Sequence, residues 1–462
     1  MKKLLLSLLG LVVLLAAAFV LFIGPWPVYS DSKYKESSYY EQAIADIDTH
    51  AQGNDITESP DRLRAGWAMR DITPPVGTPL AGYSGRGNEK KSEGVRDNLE
   101  VTALALNDGK DTVVLVGADM LITPPNLAEM VRGQVEAQTG GAVTSDDILF
   151  NASHTHCGVG AFGPGFLSEF SAGKYNPEIV EMLARQFTEA IVEAHRSLTP
   201  ASIATGEIDA PQYIRNRTRE AGVDPILNFL VAKKESGDLA YLVRYSAHPT
   251  IFGGDMMLVS AEYPGELKRH IEAQTKQEAH YLGGAVGSMG PRAPEGATPS
   301  DRVTAMGQAL GQLVLDAATP DKLTFRDRLD VAAIGVPLGM PQLQLRPVNT
   351  KFRVSPLVRY LANIPEGGWL HGARVGDIVF MGMPCDFSGE ISVEWRAWAR
   401  ARNLELWTLS FSGTYCGYFS PDKYYNQKPL DYETKEMSWY GPNIEAYFTD
   451  LFQHMTGALG AV

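Results

Sequence analysis

Ile148-Leu149-Phe150-Asn151-Ala152-Ser153-His154-Thr155-His156 is a short apolar run that ends on two imidazoles. Its length and composition predict a buried strand. Extended backbone points residues two apart to the same side, so His154 and His156 share a face. Two imidazoles on one face make half of a zinc site, because imidazole is a preferred zinc ligand. Gly158 and Gly160 follow and permit a tight turn around a ligand. Taken alone, the same pattern equally describes two polar loop histidines, so its weight depends on what other strands deliver.

Further strands are predicted at 99–106, 112–118, 241–246, 377–383 and 404–411, alternating with helices at 126–138, 177–197, 265–277, 301–317 and 389–402. The second helix shows Ile179, Met182, Leu183, Phe187 and Ile191 at helical spacing, and Gly140-Gly141 ends the first. This alternation predicts an α/β fold. Residues 65–462 carry no internal linker, and a domain of that size favours a layered two-sheet core flanked by helices. Asp119 follows the strand at 112–118, His248 that at 241–246, Asp386 that at 377–383, and Tyr415 and Tyr418 that at 404–411. Ligand sites of layered α/β folds collect where strands leave the sheet. Pro249 restricts His248 to extended or turn geometry, which suits a fixed ligand. Singly, His248 reads as a structural histidine, Asp386 as a helix cap and Tyr418 as a packing aromatic. The argument is their common placement.

The chain begins Met1-Lys2-Lys3, and residues 4–23 carry no charge. Twenty uncharged, mostly apolar residues at ~1.5 Å each span a hydrocarbon core of ~30 Å. Ala16-Ala17-Ala18 sits inside the run and not at its end, which favours an uncleaved anchor over a cleaved signal peptide. Lysines before the run and Asp31 after it predict a cytoplasmic N-terminus and a body outside the cytoplasm, which in a bacterium means the periplasm or the cell surface. The organisation read is an anchor at 1–24, a polar linker with some helix at 25–64, interrupted at Gln52-Gly53-Asn54, and one globular domain at 65–462. The chain has 41 basic and 54 acidic residues, a net charge of −13, and no basic stripe, which argues against nucleic acid as a partner. Three cysteines give no disulfide framework.

The segment Asn151-Ala152-Ser153-His154-Thr155-His156-Cys157-Gly158 resembles the THTHSGPG segment of the neutral, non-lysosomal ceramidases. Other segments match that family in chain order: Gly66-Trp67-Ala68-Met69-Arg70-Asp71-Ile72-Thr73, Gly82-Tyr83, Asn216-Arg217-Thr218, His248-Pro249-Thr250, Pro384-Cys385-Asp386-Phe387-Ser388, Tyr415-Cys416-Gly417-Tyr418 and Tyr440-Gly441-Pro442. The resemblance covers about residues 65–450 and implies a catalytic domain without the family's immunoglobulin-like C-terminal domain. It further implies Zn2+ held by His154, His248, Asp386 and Tyr418, with His156 either supporting a ligand from behind or facing substrate, and Arg217 near the scissile group. The implied reaction is hydrolysis of an N-acyl amide in a lipid or other small acyl amide.

Two departures stand out. Asp386 occupies a position where the family has glutamate, one methylene longer. Gly287-Ser288-Met289-Gly290-Pro291-Arg292 places Gly290 where the family carries a catalytic serine, so either Ser288, two residues earlier, takes the catalytic role from a displaced backbone position or no serine is needed. Arg292 adds a positive charge that would suit an acidic substrate. An esterase, another amidase, or a binding protein that lost the serine remain alternatives. Cys157, Cys385 and Cys416 each lie within two residues of a proposed site residue. One cysteine as a ligand is an alternative, and three inert buried thiols are the favoured reading.

Overall fold

Along the strand Glu100–Asn107, Val101, Ala103 and Ala105 enter one apolar core while Leu104 and Leu106 enter another. A strand that is apolar on both faces needs cover on both. The computed structural model describes residues 2–29, 32–51, 61–86, 91–348, 351–428 and 431–461. The Gln52-Gly53-Asn54 interruption lies outside them.

The strands of the two main sheets are β1 (Arg64–Asp71), β2 (Glu100–Asn107), β3 (Thr112–Ala118), β4 (Ile148–Ala152), β5 (Thr199–Asp209), β6 (Ile226–Lys234), β7 (Leu239–Tyr245), β8 (Glu278–Gly283), β9 (Val331–Gly339), β10 (Gly367–Val375), β11 (Ile378–Gly382) and β12 (Glu405–Leu409). The helices are α1 (Lys2–Phe22), α2 (Ser38–Ala51), α3 (Pro125–Thr139), α4 (Phe166–Ala172), α5 (Pro177–Arg196), α6 (Glu262–Thr275), α7 (Pro299–Ala317), α8 (Val358–Ala362), α9 (Gly389–Arg400) and α10 (Ile444–Ala458).

The first sheet has eight strands in the order β8-β7-β6-β5-β1-β2-β3-β4, and the second has four in the order β9-β10-β11-β12. β3 pairs with β4, β7 with β8 and β11 with β12 in parallel. Leu104, Leu115, Leu149 and Leu242 of the first sheet meet Phe380, Trp407 and Leu409 of the second in a shared core. Helices α3 and α5 cover the outer face of the β1–β4 half, and α6 and α7 that of the β5–β8 half. Helices α2, α9 and α10 cover the second sheet. The fold is therefore the layered α/β arrangement with a two-sheet core that the sequence predicts.

Local signals explain the helices. Ile179, Leu183, Phe187 and Ile191 of α5 are buried, each contributing roughly 1.5–3 kcal/mol. The Asn176 side chain accepts from the Glu178 amide at its start. Helix α3 stops at Gly140, whose φ of +63° is the left-handed cap expected of that glycine. Helix α6 begins at Glu262, three residues before the predicted start, because a proline such as Pro264 is tolerated in a first turn. The strands β5, β6, β8, β9 and β10 were not among those predicted. β9 and β10 carry Gly335, Pro337, Gly367, Gly368 and Gly372, residues of low strand propensity that tertiary pairing overrides.

Helix α1 is long and apolar enough to cross a membrane, and none of its residues is buried. Just after it, Trp26–Pro27 pairs antiparallel with Phe352–Arg353. Within the predicted linker, α2 packs Ala43 and Ile47 into the core of the second sheet, beside α10.

Candidate metal centre

Asn151 starts the construction. This fully buried side chain donates from Nδ2 to the carbonyls of Gly283 at 2.9 Å and Ser410 at 2.7 Å, and its Oδ1 accepts the Gly283 amide at 2.7 Å. It ties the end of β4 to the end of β8 and to the segment after β12. The first sheet thus curls until its two edges meet, and the loops that leave β4, β7 and β12 converge.

His154, the second residue after β4, takes a left-handed backbone with φ of +67°, so the extended geometry expected to put His154 and His156 on one face ends at Ala152, and the two rings meet through the turn instead. Its amide donates to the Met120 carbonyl at 2.9 Å, and its ring stacks on Phe411 at 4.2 Å between centroids. Non-glycine residues in this conformation persist only where surrounding contacts hold them, and they cluster at functional sites. Nδ1 of His154 lies 2.5 Å from the Leu121 carbonyl oxygen, and Nδ1 of His248 lies 3.2 Å from that of Val286. A carbonyl at Nδ1 fixes the proton there and leaves the Nε2 lone pair for a ligand. The Nε2 atoms of His156 and His248 are 3.0 Å apart. The ligand atoms of His154, His156 and His248 all lie within 4.8 Å of one another. His154 and His248 are buried, and His156 is partly exposed.

Asp386 approaches from the second sheet. Its Oδ1 lies 3.5 Å from His154 Nε2, is buried, and has no hydrogen-bond partner among the described residues. Its Oδ2 accepts the Tyr415 hydroxyl at 2.8 Å. Tyr418 is the direct partner of Asp386 in a short parallel bridge, and its hydroxyl accepts from Arg217 Nη2 at 3.0 Å. Arg217 also donates to the Gly287 carbonyl. Burial disfavours its charge, but Tyr418, Tyr432 and Asp386 outweigh that and hold it above its ordinary pKa. Burial pushes His154 down to about 3 and His156 and His248 well below their usual range, so all three rings are neutral at pH 7. Burial pushes Asp386 up to about 7, against the opposing pull of Arg217. Neutral imidazoles beside an unpartnered buried carboxylate oxygen are a donor set that fits a divalent transition metal.

Ser288 is fully buried, with its Oγ 3.2 Å from the Ser388 hydroxyl and accepting the Gly389 amide at 3.2 Å, at the start of α9. At Gly290 an added Cβ would stand 3.1 Å from the Cβ of Arg217, so position 290 faces that arginine's stem. Asp119, which the strand-end argument placed with the ligands, pairs instead with Lys268 at 2.9 Å. Arg292 is exposed. The three cysteines are free and buried, and the clustered metal-capable group among the described residues contains no thiol. Beyond their place at and after the strand at 404–411, Tyr415 proves to donate to Asp386 and Phe411 to stack on His154. Tyr415, three residues before Tyr418, was the available signal.

Gly82 is the floor under His156. Its φ is +108°, and an added Cβ would lie 2.6 Å from the imidazole Cγ. Gly82→Ala is therefore expected to displace His156 and to destabilise the chain by about 1–3 kcal/mol. Urea unfolding read beside metal content checks this, and an unchanged midpoint with unchanged metal would refute it.

Residues 63–300 match the family model described as "Neutral/alkaline non-lysosomal ceramidase, N-terminal". The chain belongs to this ceramidase family. A curated neutral ceramidase of Mycobacterium tuberculosis is 22% identical over 241 residues, 48% of this chain and 37% of that protein. One from Pseudomonas aeruginosa is 21% identical over 235 residues, 47% of this chain and 35% of that protein. The matched stretch thus spans little more than a third of the curated relatives. The crystal structure of the neutral ceramidase from Pseudomonas aeruginosa superposes with a TM-score of 0.72 at 17% identity, covering 87% of this chain and 74% of the other. A solved ceramidase complexed with C2 gives 0.73 at 16% identity, covering 87% and 75%. These superpositions carry the fold. In this ceramidase-family chain the histidines and Asp386 converge from segments that follow strands of both main sheets, and Arg217 joins them from the short strand Ile214–Asn216, which pairs with Met289–Pro291.

Proposed function

We propose that the chain is a zinc-dependent hydrolase that cleaves the N-acyl amide bond of a ceramide-like lipid, held by α1 at the membrane with its catalytic domain outside the cytoplasm. The observation that carries this reading is the unpartnered Asp386 Oδ1 aimed at a cluster of neutral imidazoles, with a buried cationic Arg217 beside it. Family membership directs the chemistry toward an acyl amide.

His154, His248 and Asp386, with Tyr418 beside Asp386, would hold the zinc. The two histidines have their Nε2 lone pairs fixed by backbone carbonyls. Zinc, when bound, supplies Lewis-acid polarisation of the acyl carbonyl and a nucleophile from water at neutral pH. Arg217 places a cation where negative charge develops on the carbonyl oxygen. Its guanidinium is fixed by the Gly287 carbonyl and the Tyr418 hydroxyl, so no reorganisation is needed as the charge appears. His156, neutral and partly exposed, accepts the proton of the attacking water and returns it to the departing amine. No step requires a serine, which accommodates Gly290 and the engaged Ser288 hydroxyl.

The test is a substrate panel on the full chain: an N-acyl sphingoid amide, an N-acyl amino acid and an ester of matched acyl length. Amide hydrolysis that chelator abolishes and zinc restores is the expected result. Ester cleavage without amide cleavage would replace this reading with the esterase, and no turnover at all would replace it with the binding protein.

A further inference from the structure

The body carries exposed apolar side chains on two short helices that meet. Phe166 and Phe170 of α4 are 66% and 55% exposed, and their rings stack with centroids 6.0 Å apart. Tyr360 and Leu361 of α8 are 67% and 62% exposed. The two helices join where Asn363 Nδ2 donates to the Pro164 carbonyl at 3.4 Å and the Asn363 side chain lies against Gly165. Four large apolar groups in water at one junction are a contact surface awaiting a partner.

The path of the chain identifies that partner. The Ser355 amide donates to the Ile23 carbonyl at 2.8 Å, and the Ser355 hydroxyl donates to the carbonyl of Leu21, so the exit of α1 is bonded to the segment that leads into α8. The Trp26–Pro27 strand, paired with Phe352–Arg353, seals the same junction. Trp26 donates its indole N–H to the Val20 carbonyl at 2.6 Å, placing an aromatic amphipath at the end of the apolar helix, where membrane–water interfaces collect tryptophan. Five residues separate Ser355 from Tyr360, which limits their separation to about 18 Å. The apolar patch therefore lies within about 18 Å of the segment bonded to the exit of α1. On its other side, α4 follows the turn that leaves His156, and the Ala161 amide donates to the Ala172 carbonyl at 2.7 Å.

We infer that Phe166, Phe170, Tyr360 and Leu361 form an interfacial face that enters the headgroup region of the same bilayer that α1 occupies. The inference rests on the reading of α1 as a membrane anchor and deepens it: a single span tethers, while a second contact fixes orientation. Apolar side chains on an interfacial surface bury several ångströms into the headgroup boundary. With α4 inserted, the loop that carries His156 stands next to the lipid. A substrate with long acyl chains then reaches the centre from the membrane plane, without passing through water.

The experiment uses single spin labels on the full chain in phosphatidylcholine vesicles. The native cysteines are buried, so added cysteines label selectively. Labels at Phe166→Cys and Leu361→Cys, with Phe170→Cys and Tyr360→Cys as a second pair if either fails to fold, are compared with Leu11→Cys in α1 and Met130→Cys on α3. The expected result is that collision with oxygen exceeds collision with a water-soluble nickel chelate at 166 and 361 as it does at 11, and the reverse at 130. Water-like values at 166 and 361 with lipid-like values at 11 would overturn the interfacial face and leave the anchor standing. Water-like values at all three would overturn both.

Discussion

His248→Ala is expected to reduce acyl-amide turnover by roughly a hundredfold or more, since even loss of a group supporting a metal ligand costs 10- to 100-fold. The effect follows from where the ring sits. His248 is fully buried, its Nδ1 is held by the Val286 carbonyl, and its Nε2 is 3.0 Å from that of His156. Alanine removes a ligand with a fixed lone pair and leaves a polar hole that the buried loop cannot refill. Steady-state kinetics on the purified variant, with zinc content measured on the same sample, check this. Retention of wild-type kcat with full metal content would remove His248 from the site. His156→Ala separates the two roles: metal should stay bound while kcat falls.

Asp224→Ala is expected to destabilise the chain by about 3–5 kcal/mol, the usual consequence of removing one partner of a buried ion cluster. Asp224 Oδ2 accepts from Arg244 Nη2 at 2.9 Å, from the Ser246 hydroxyl at 2.8 Å and from that of Ser392 at 3.0 Å. Its Oδ1 lies 2.6 Å from Arg396 Nη2. Arg244 is completely buried and Arg396 nearly so, so the alanine variant strands two guanidinium groups away from water. Burial alone would push the Asp224 carboxyl up, but Arg396 and Arg244 outweigh it and hold the group below the usual carboxylate range. A depressed folded-state value means that the stabilisation is present above the unfolded value of about 3.9 and is lost as pH falls through the folded one. The gap between wild type and variant should therefore be full at pH 7 and narrow in acid. Urea midpoints at several pH values measure it, and a gap that widens in acid would contradict the sign. Ser246 is two residues before His248, so the same variant should also loosen the metal centre.

The alternation of strands and helices was legible because α3, α5 and β2 to β4 carry strong local patterns. The stop at Gly140 and the apolar stripe of α5 are examples. β9 and β10 were not legible, because glycine and proline weaken the local signal and the sheet is held by pairing partners far along the chain. The convergence of His154, His248 and Asp386 at strand ends could be argued from sequence, but the curl of the first sheet that brings them together depends on Asn151 reaching Gly283, a contact across 132 residues. Asp119 shows the limit of the strand-end argument: it follows a strand as His154 does, yet Lys268, 149 residues away in sequence, captures it. For Tyr415 the strand-end position next to Tyr418 was legible, but its hydrogen bond to Asp386, 29 residues away in sequence, was not.

The most direct test of the whole account is crystallographic. Diffraction from crystals of the zinc-loaded chain should be recorded on both sides of the zinc absorption edge. One anomalous peak bounded by His154, His248, Asp386 and Tyr418 is the predicted result. A peak bound by other residues, or none in crystals shown to contain saturating zinc, would contradict it.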